Sequence, residues 1–206
     1  MAITYPLTPP ASVPAEITLS PLAVVGVSAS PFTLEQEVFE HQGQAWQMEV
    51  SLPPMARPEA EEWVAFLLSL NGRAGTFLMG DPVGAAPRGT ALGTPLVDGA
   101  GQQRAKTLAT KGWTADAAGV LLPGDYIQIG AGAAARLYKN LTAVNADAAG
   151  EATLDVWPRI RDSLADGAAI VTAATAGVWR MASNQMTWTV GEAQVYGISF
   201  ACVEAL

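Results

Sequence analysis

The chain has 206 residues, half of them hydrophobic and 15% charged, with a net charge of −8. That is too apolar for a disordered chain, and long enough for one large domain or two small ones with real cores. An acidic balance with dispersed Lys and Arg excludes binding nucleic acid by phosphate neutralisation, which needs clustered cations.

From the N-terminus, Met1–Pro6 carries neither the basic nor the apolar part of a signal peptide, so synthesis in a cytoplasm is expected. Ile17-Thr18-Leu19 and Val24-Val25-Gly26-Val27 are strand candidates punctuated by Pro21 and Pro31. From Gln44 to Leu52 the chain alternates, with Trp46, Met48, Val50 and Leu52 on one face and Gln47, Glu49 and Ser51 on the other, which predicts a half-buried strand. Pro53-Pro54 ends it. A helix is predicted from about Pro58 to Leu70, with Pro58 in the first turn and Glu59, Glu61 and Glu62 complementing the N-terminal dipole. Trp63, Phe66, Leu67 and Leu70 form its apolar face, and Asn71-Gly72 stops it. Gly75–Gly80 is a further strand.

The texture changes at Val83. Gly84–Gly93 reads as a flexible linker, and short strands are then predicted at Lys106–Trp113, Tyr126–Ile129, Arg136–Val144, Ala152–Trp157 and Ala168–Thr172. Five short strands with little helix predict a small OB-like β-barrel, with Arg136–Val144 and Ala152–Trp157 as a long hairpin. After Gly177 the first texture resumes, with strands at Trp179–Met181 and Met186–Val190 and an alternating stretch from Tyr196 to Glu204. Charge follows the same partition. The span from Val83 to Val178 holds eight basic and eight acidic residues, and the remaining three basic and eleven acidic residues carry the net −8. The expected fold is therefore mainly β: a β-sandwich with one α-helix (1–82 and 179–206), interrupted by an inserted small β-barrel (83–178). No run of about 18 apolar residues is free of breakers, so no membrane insertion by this chain is expected.

A search for chemistry singles out no catalytic, cofactor-binding or metal-ligating residue, and no cofactor is expected. There is no G-x-S-x-G, and His41, the one histidine, sits in a stretch that reads as a solvated turn. Glu35, Glu37 and Glu40 lack a glycine-framed calcium loop and read as a solvated acidic face. The single cysteine, Cys202, lies in an apolar alternation that makes it a buried core thiol. Trp113, Tyr126, Tyr138 and Trp157 fall in the predicted barrel, where aromatic faces can bind sugars or single strands; core packing with a protein contact is the stronger expectation.

Three stretches carry a resemblance. They are Glu62–Pro82 (EWVAFLLSLNGRAGTFLMGDP), Leu122–Gly130 (LPGDYIQIG) with Ala135–Lys139 (ARLYK), and Asp147–Arg161 (DAAGEATLDVWPRIR). Together they resemble the siphophage distal tail protein, a tail-tip protein, including forms with an OB-like insert. The resemblance implies a virion structural protein of the tail tip or baseplate and not an enzyme. Its partners would be copies of itself in a homo-oligomer, a hexameric ring, with the tail tube protein on one side and tail hub and fibre proteins on the other. DNA would pass only in transit, through a lumen that the acidic first domain keeps from sticking to it. A different minor tail protein, whose inserted barrel binds host-surface carbohydrate, is the alternative.

Overall fold

Apolar-polar alternation at both ends of the chain predicts two sets of half-buried strands, and the computed structural model pairs them in a single sheet. It describes residues 3–192 and 194–206; Met1 and Ala2, the start of the stretch compared above with a signal peptide, lie outside the described residues. The first sheet contains β1 (Glu16–Ala29), β2 (Gln36–Ser51), β3 (Met55–Ala56) and β4 (Phe77–Met79). The second comprises β5 (Gly93–Val97), β6 (Thr107–Trp113), β7 (Tyr126–Ile129), β8 (Arg136–Asn140), β9 (Ala152–Trp157) and β10 (Ile170–Val171). The chain then returns to the first sheet with β11 (Gly177–Met181), β12 (Trp188–Val190) and β13 (Val195–Glu204). The fold is mainly β, with one α-helix, α1 (Arg57–Ser69), among the described residues.

The first sheet runs β1-β2-β13-β11-β4, with β3 and β12 both pairing β13. β13 is thus the strand that ties the end of the chain to its beginning, through Ser199↔Ser51 to Val203↔Gln47. The inward residues Trp46, Met48 and Val50 meet the apolar face of α1, where Trp63, Phe66, Leu67 and Leu70 are buried with Phe77, Trp179 and Phe200. Edge-on ring pairs, Trp63 with Phe66 and Phe66 with Phe77, organise this core. Each such side chain contributes about 1.5–3 kcal/mol by leaving water. The helix begins one residue before the predicted start, and Asn71 and Gly72 end it in the left-handed region, at φ 50° and 62°.

The second sheet follows the order β10-β7-β8-β9-β6-β5. An antiparallel bridge from Leu96 to Ala169 brings its two edges together, leaving a nearly closed barrel filled by Leu108, Ile127, Tyr138, Leu154, Val156 and Ile160. It has six strands where five were predicted. The extra one, β5, contains Gly93 and Pro95, which disguise it in the sequence; Pro95 is tolerated in this short strand, whose pairing is irregular between Gly93 and Leu96. The predicted long hairpin is also shorter. β8 stops at Asn140, pairs with β9 only through Lys139↔Trp157 and Asn140↔Val156, and residue 144 turns away to bridge Leu121.

Three further expectations are corrected. The segment 84–93 is not a free linker: the buried carboxylate of Asp125 accepts backbone N–H bonds from Arg88 (2.7 Å), Gly89 (2.9 Å) and Leu122 (2.8 Å). Gly89 is needed there, because a Cβ would fall 2.5 Å from the Val120 carbonyl oxygen. His41 is not in a turn but inside β2, and the two strand candidates at 17–19 and 24–27 are one continuous strand. Pro21 is accommodated because β1 is the edge strand of its sheet.

Candidate assembly interface

Beyond Trp46, β1 and β2 leave the sheet together as a two-stranded arm. Its register runs from Leu22↔Ala45 to Ala29↔Gln36, with an irregularity where Val24 faces His41–Gly43. Side chains alternate in a ribbon, so Val25, Val27 and Val38 share one face and Leu22, Val24 and Phe39 the other. All six are exposed. At the tip the Ser30 N–H donates to the Glu35 carbonyl and the Leu34 N–H to the Ser30 carbonyl, a closed turn that leaves Phe32 95% and Leu34 78% exposed. A two-stranded ribbon has marginal stability alone, and this one exposes apolar side chains on both faces. No Lys or Arg occurs between Leu22 and Gln44, while Glu35, Glu37 and Glu40 do.

The base of the arm is fixed to the barrel. Glu40 receives Lys106 Nζ at 2.6 Å and Arg159 Nη2 at 2.9 Å, and the Lys106 hydrogen bond, ahead of Arg159, holds its carboxyl below the usual carboxylate range. The Arg159 N–H donates to Gln44 Oε1 at 2.7 Å. Trp46 donates from Nε1 to the Leu137 carbonyl at 3.1 Å and meets Trp157 edge-on, with ring centroids 4.2 Å apart. Deeper still, Arg161 and Glu204 form a nearly buried ion pair at 2.6 Å, and the same Glu204 carboxylate accepts the Trp46 backbone N–H at 3.1 Å.

Between arm base and barrel lies a trough in two contiguous parts. One, of about 250 Å³, is walled by Pro21, Trp46, Lys139, Leu141 and Trp157; the other, of about 440 Å³, continues past Leu141 and Trp157 to Glu40 and Lys106. The first part is nearly all apolar, because the Lys139 ammonium is turned to Tyr126 and sits 4.3 Å from the centre of that ring. On the opposite side of the sheet from α1, an uncovered face of small and polar residues carries Glu16, Thr18, Glu49, Ser51, Ser199 and Ala201.

The residues weighed in the sequence fall as follows. Trp113 and Tyr138 are buried inside the barrel, Tyr126 is buried toward the first sheet, and Trp157, half-buried against Trp46, is the one of the four that lines the trough. Cys202 is buried, and its burial pushes the thiol far up from its ordinary value. Glu40 is drawn into ion pairs and away from Glu35 and Glu37, and no group of three or more metal-ligating side chains occurs among the described residues. No helix in the described residues is long and apolar enough to cross a membrane. The arm itself is absent from the sequence-level expectations. Its signal was present: apolar residues at the adjacent positions Val24-Val25 and Val38-Phe39 load both faces of a strand, which in an edge ribbon demands two covers.

Comparison with known proteins finds no matching family model and no matching curated protein.

Proposed function

We propose that this chain is a structural subunit of a phage tail tip, a distal tail protein that assembles into a ring joining the tail tube to the hub and fibres. The observation that carries the proposal is the arm. Its eight exposed apolar side chains, Leu22 to Phe39, are covered by nothing among the described residues, and assembly with further copies supplies the cover. Head-to-tail contacts of this kind close into rings when the rotation permits. The resemblance of Glu62–Pro82, Leu122–Gly130 with Ala135–Lys139, and Asp147–Arg161 to siphophage tail-tip proteins supplies the setting and the hexameric count.

The lumen proposal narrows. The acidic excess is not gathered on one face: Glu40 and Glu204 are neutralised by barrel cations, and Glu59, Glu61 and Glu62 lie on or beside α1. Glu16 and Glu49, on the uncovered face of small residues, are the acids suited to line a channel through which DNA slides. A carbohydrate-binding role for the barrel has less support, since Trp113 and Tyr138 are packed inside it.

Sedimentation velocity and negative-stain electron microscopy of the full chain, over a range of concentrations, test the proposal. A ring-shaped species of defined stoichiometry is expected. A chain that stays monomeric at every concentration, or that forms only two-fold dimers, would falsify it.

A further inference from the structure

We propose that the arm tip of one copy docks in the trough of the next, with Phe32 and Leu34 entering between Pro21, Leu141 and Trp157. This rests on the assembly proposed above and specifies its contact. The donor is an apolar tip held outward by a closed turn, with Phe32 95% exposed. The acceptor is an almost wholly apolar trough of about 250 Å³ whose wall Leu141 is itself 52% exposed.

Charge selects the pairing. The outer arm carries Glu35 and Glu37 and no cation. Two arms laid side by side would therefore repel, which disfavours a symmetric arm-to-arm dimer. The trough has Lys139 at its apolar end, and Lys106 together with the acids Glu40 and Asp155 at the other. Lys106 is already engaged by Glu40 at 2.6 Å, whereas the partner found for the Lys139 ammonium is the neutral Tyr126 hydroxyl at 3.1 Å. Lys139 flanks the apolar seat, and its ammonium would turn from Tyr126 to receive an incoming carboxylate.

Topology adds a second argument. The trough lies at the foot of the arm, so each copy presents donor and acceptor at opposite ends of one ribbon. Such a contact propagates head-to-tail when the acceptor's own tip reaches a third copy, whereas reciprocal exchange between two copies would close a two-fold dimer. The stagger between copies would be set by the length of the arm, a rigid quantity in a paired ribbon.

The test uses two single variants of the full chain, Phe32→Cys and Leu141→Cys, whose new thiols are exposed while Cys202 is buried. Mixed and oxidised, they are expected to give a disulfide-linked heterodimer, identified by mass spectrometry of the joined peptides; each variant oxidised alone gives much less. The charge partners are tested by Lys139→Glu, expected to weaken self-association roughly 10-fold and to be restored by combination with Glu35→Lys and Glu37→Lys. Phe32→Ala, at a fully exposed position where folding is not at risk, should weaken association roughly 30-fold. Rings that form normally with Phe32→Ala and give no mixed disulfide would overturn the tip-to-trough contact and leave the ring proposal standing. Absence of any assembly in the unsubstituted chain would overturn both.

Discussion

Tyr138 shows how a single side chain can report the integrity of the barrel. Its ring is fully buried among Ile127, Leu154 and Ile160, and its hydroxyl accepts the Arg161 backbone N–H at 3.1 Å. Burial disfavours the phenolate and pushes the hydroxyl from 10.0 up to about 12. Below pH 10 the group is neutral in both the folded and the unfolded chain, so its contribution is fully present. Above that, the unfolded chain ionises first and the contribution is lost as pH rises toward about 12, to the extent of about 2–3 kcal/mol. Alkaline denaturant titrations should therefore show stability falling across this window. The raised Cys202 thiol adds its own alkaline fall, so Tyr138→Phe should lessen the fall without abolishing it, while costing about 1 kcal/mol at neutral pH for the lost hydrogen bond. An equally steep alkaline fall in the variant would show that another group is responsible.

At the scale of elements, α1 has an imperfection that can be corrected. Its N-cap is Ala56, whose extended backbone (φ −72°, ψ 161°) is right for a cap but whose side chain bonds nothing. Glu59 already stands at the third helical position, so Ala56→Ser completes a Ser-x-x-Glu capping box. A gain of about 1 kcal/mol is expected, or roughly 2–4 °C in Tm for a chain of this size; thermal denaturation followed by circular dichroism would measure it. The same helix was legible from the sequence because Trp63, Phe66, Leu67 and Leu70 repeat at helical spacing and Asn71-Gly72 is an unambiguous stop. Strand β2 from Gln44 onward was legible for the same kind of reason, one buried face and one wet one. The arm was not, because nothing among the described residues covers it, and a strand with both faces apolar has no period to read. Strand β5 was hidden by Gly93 and Pro95, and the clamp at Asp125 by distance: Arg88 and Gly89, which it holds, lie in a glycine-rich segment whose order depends on a residue far along the chain. Local pattern is visible to a sequence reading; order imposed across the fold is not.

At the scale of the whole molecule, the relation between the sheet and the barrel depends on Glu204. This residue ends β13, and its carboxylate takes two hydrogen bonds from the Arg161 guanidinium and one from the Trp46 N–H, with the Glu204 side chain 5% and that of Arg161 11% exposed. Removing one partner of such a pair leaves a buried charge without compensation, at a cost of about 3–5 kcal/mol. Glu204→Ala should therefore destabilise the chain by that order, and in scanning calorimetry it should broaden or split the transition as barrel and sheet lose their common anchor. Replacing both partners by apolar residues, Glu204→Leu with Arg161→Met, should recover most of the loss, because no orphaned charge remains. The functional consequence follows from position. Trp46 and Trp157 meet in the wall of the trough, and Glu204 holds the backbone of the first while Arg161 lies four residues beyond the second. If the chain assembles as proposed, a loosened junction should shift the arm base against the barrel and weaken that assembly even at temperatures where the chain stays folded. Assembly measured by sedimentation should thus fall with Glu204→Ala and return with the double apolar variant. If assembly is unaffected by Glu204→Ala in the folded chain, the angle between sheet and barrel is not what sets the contact.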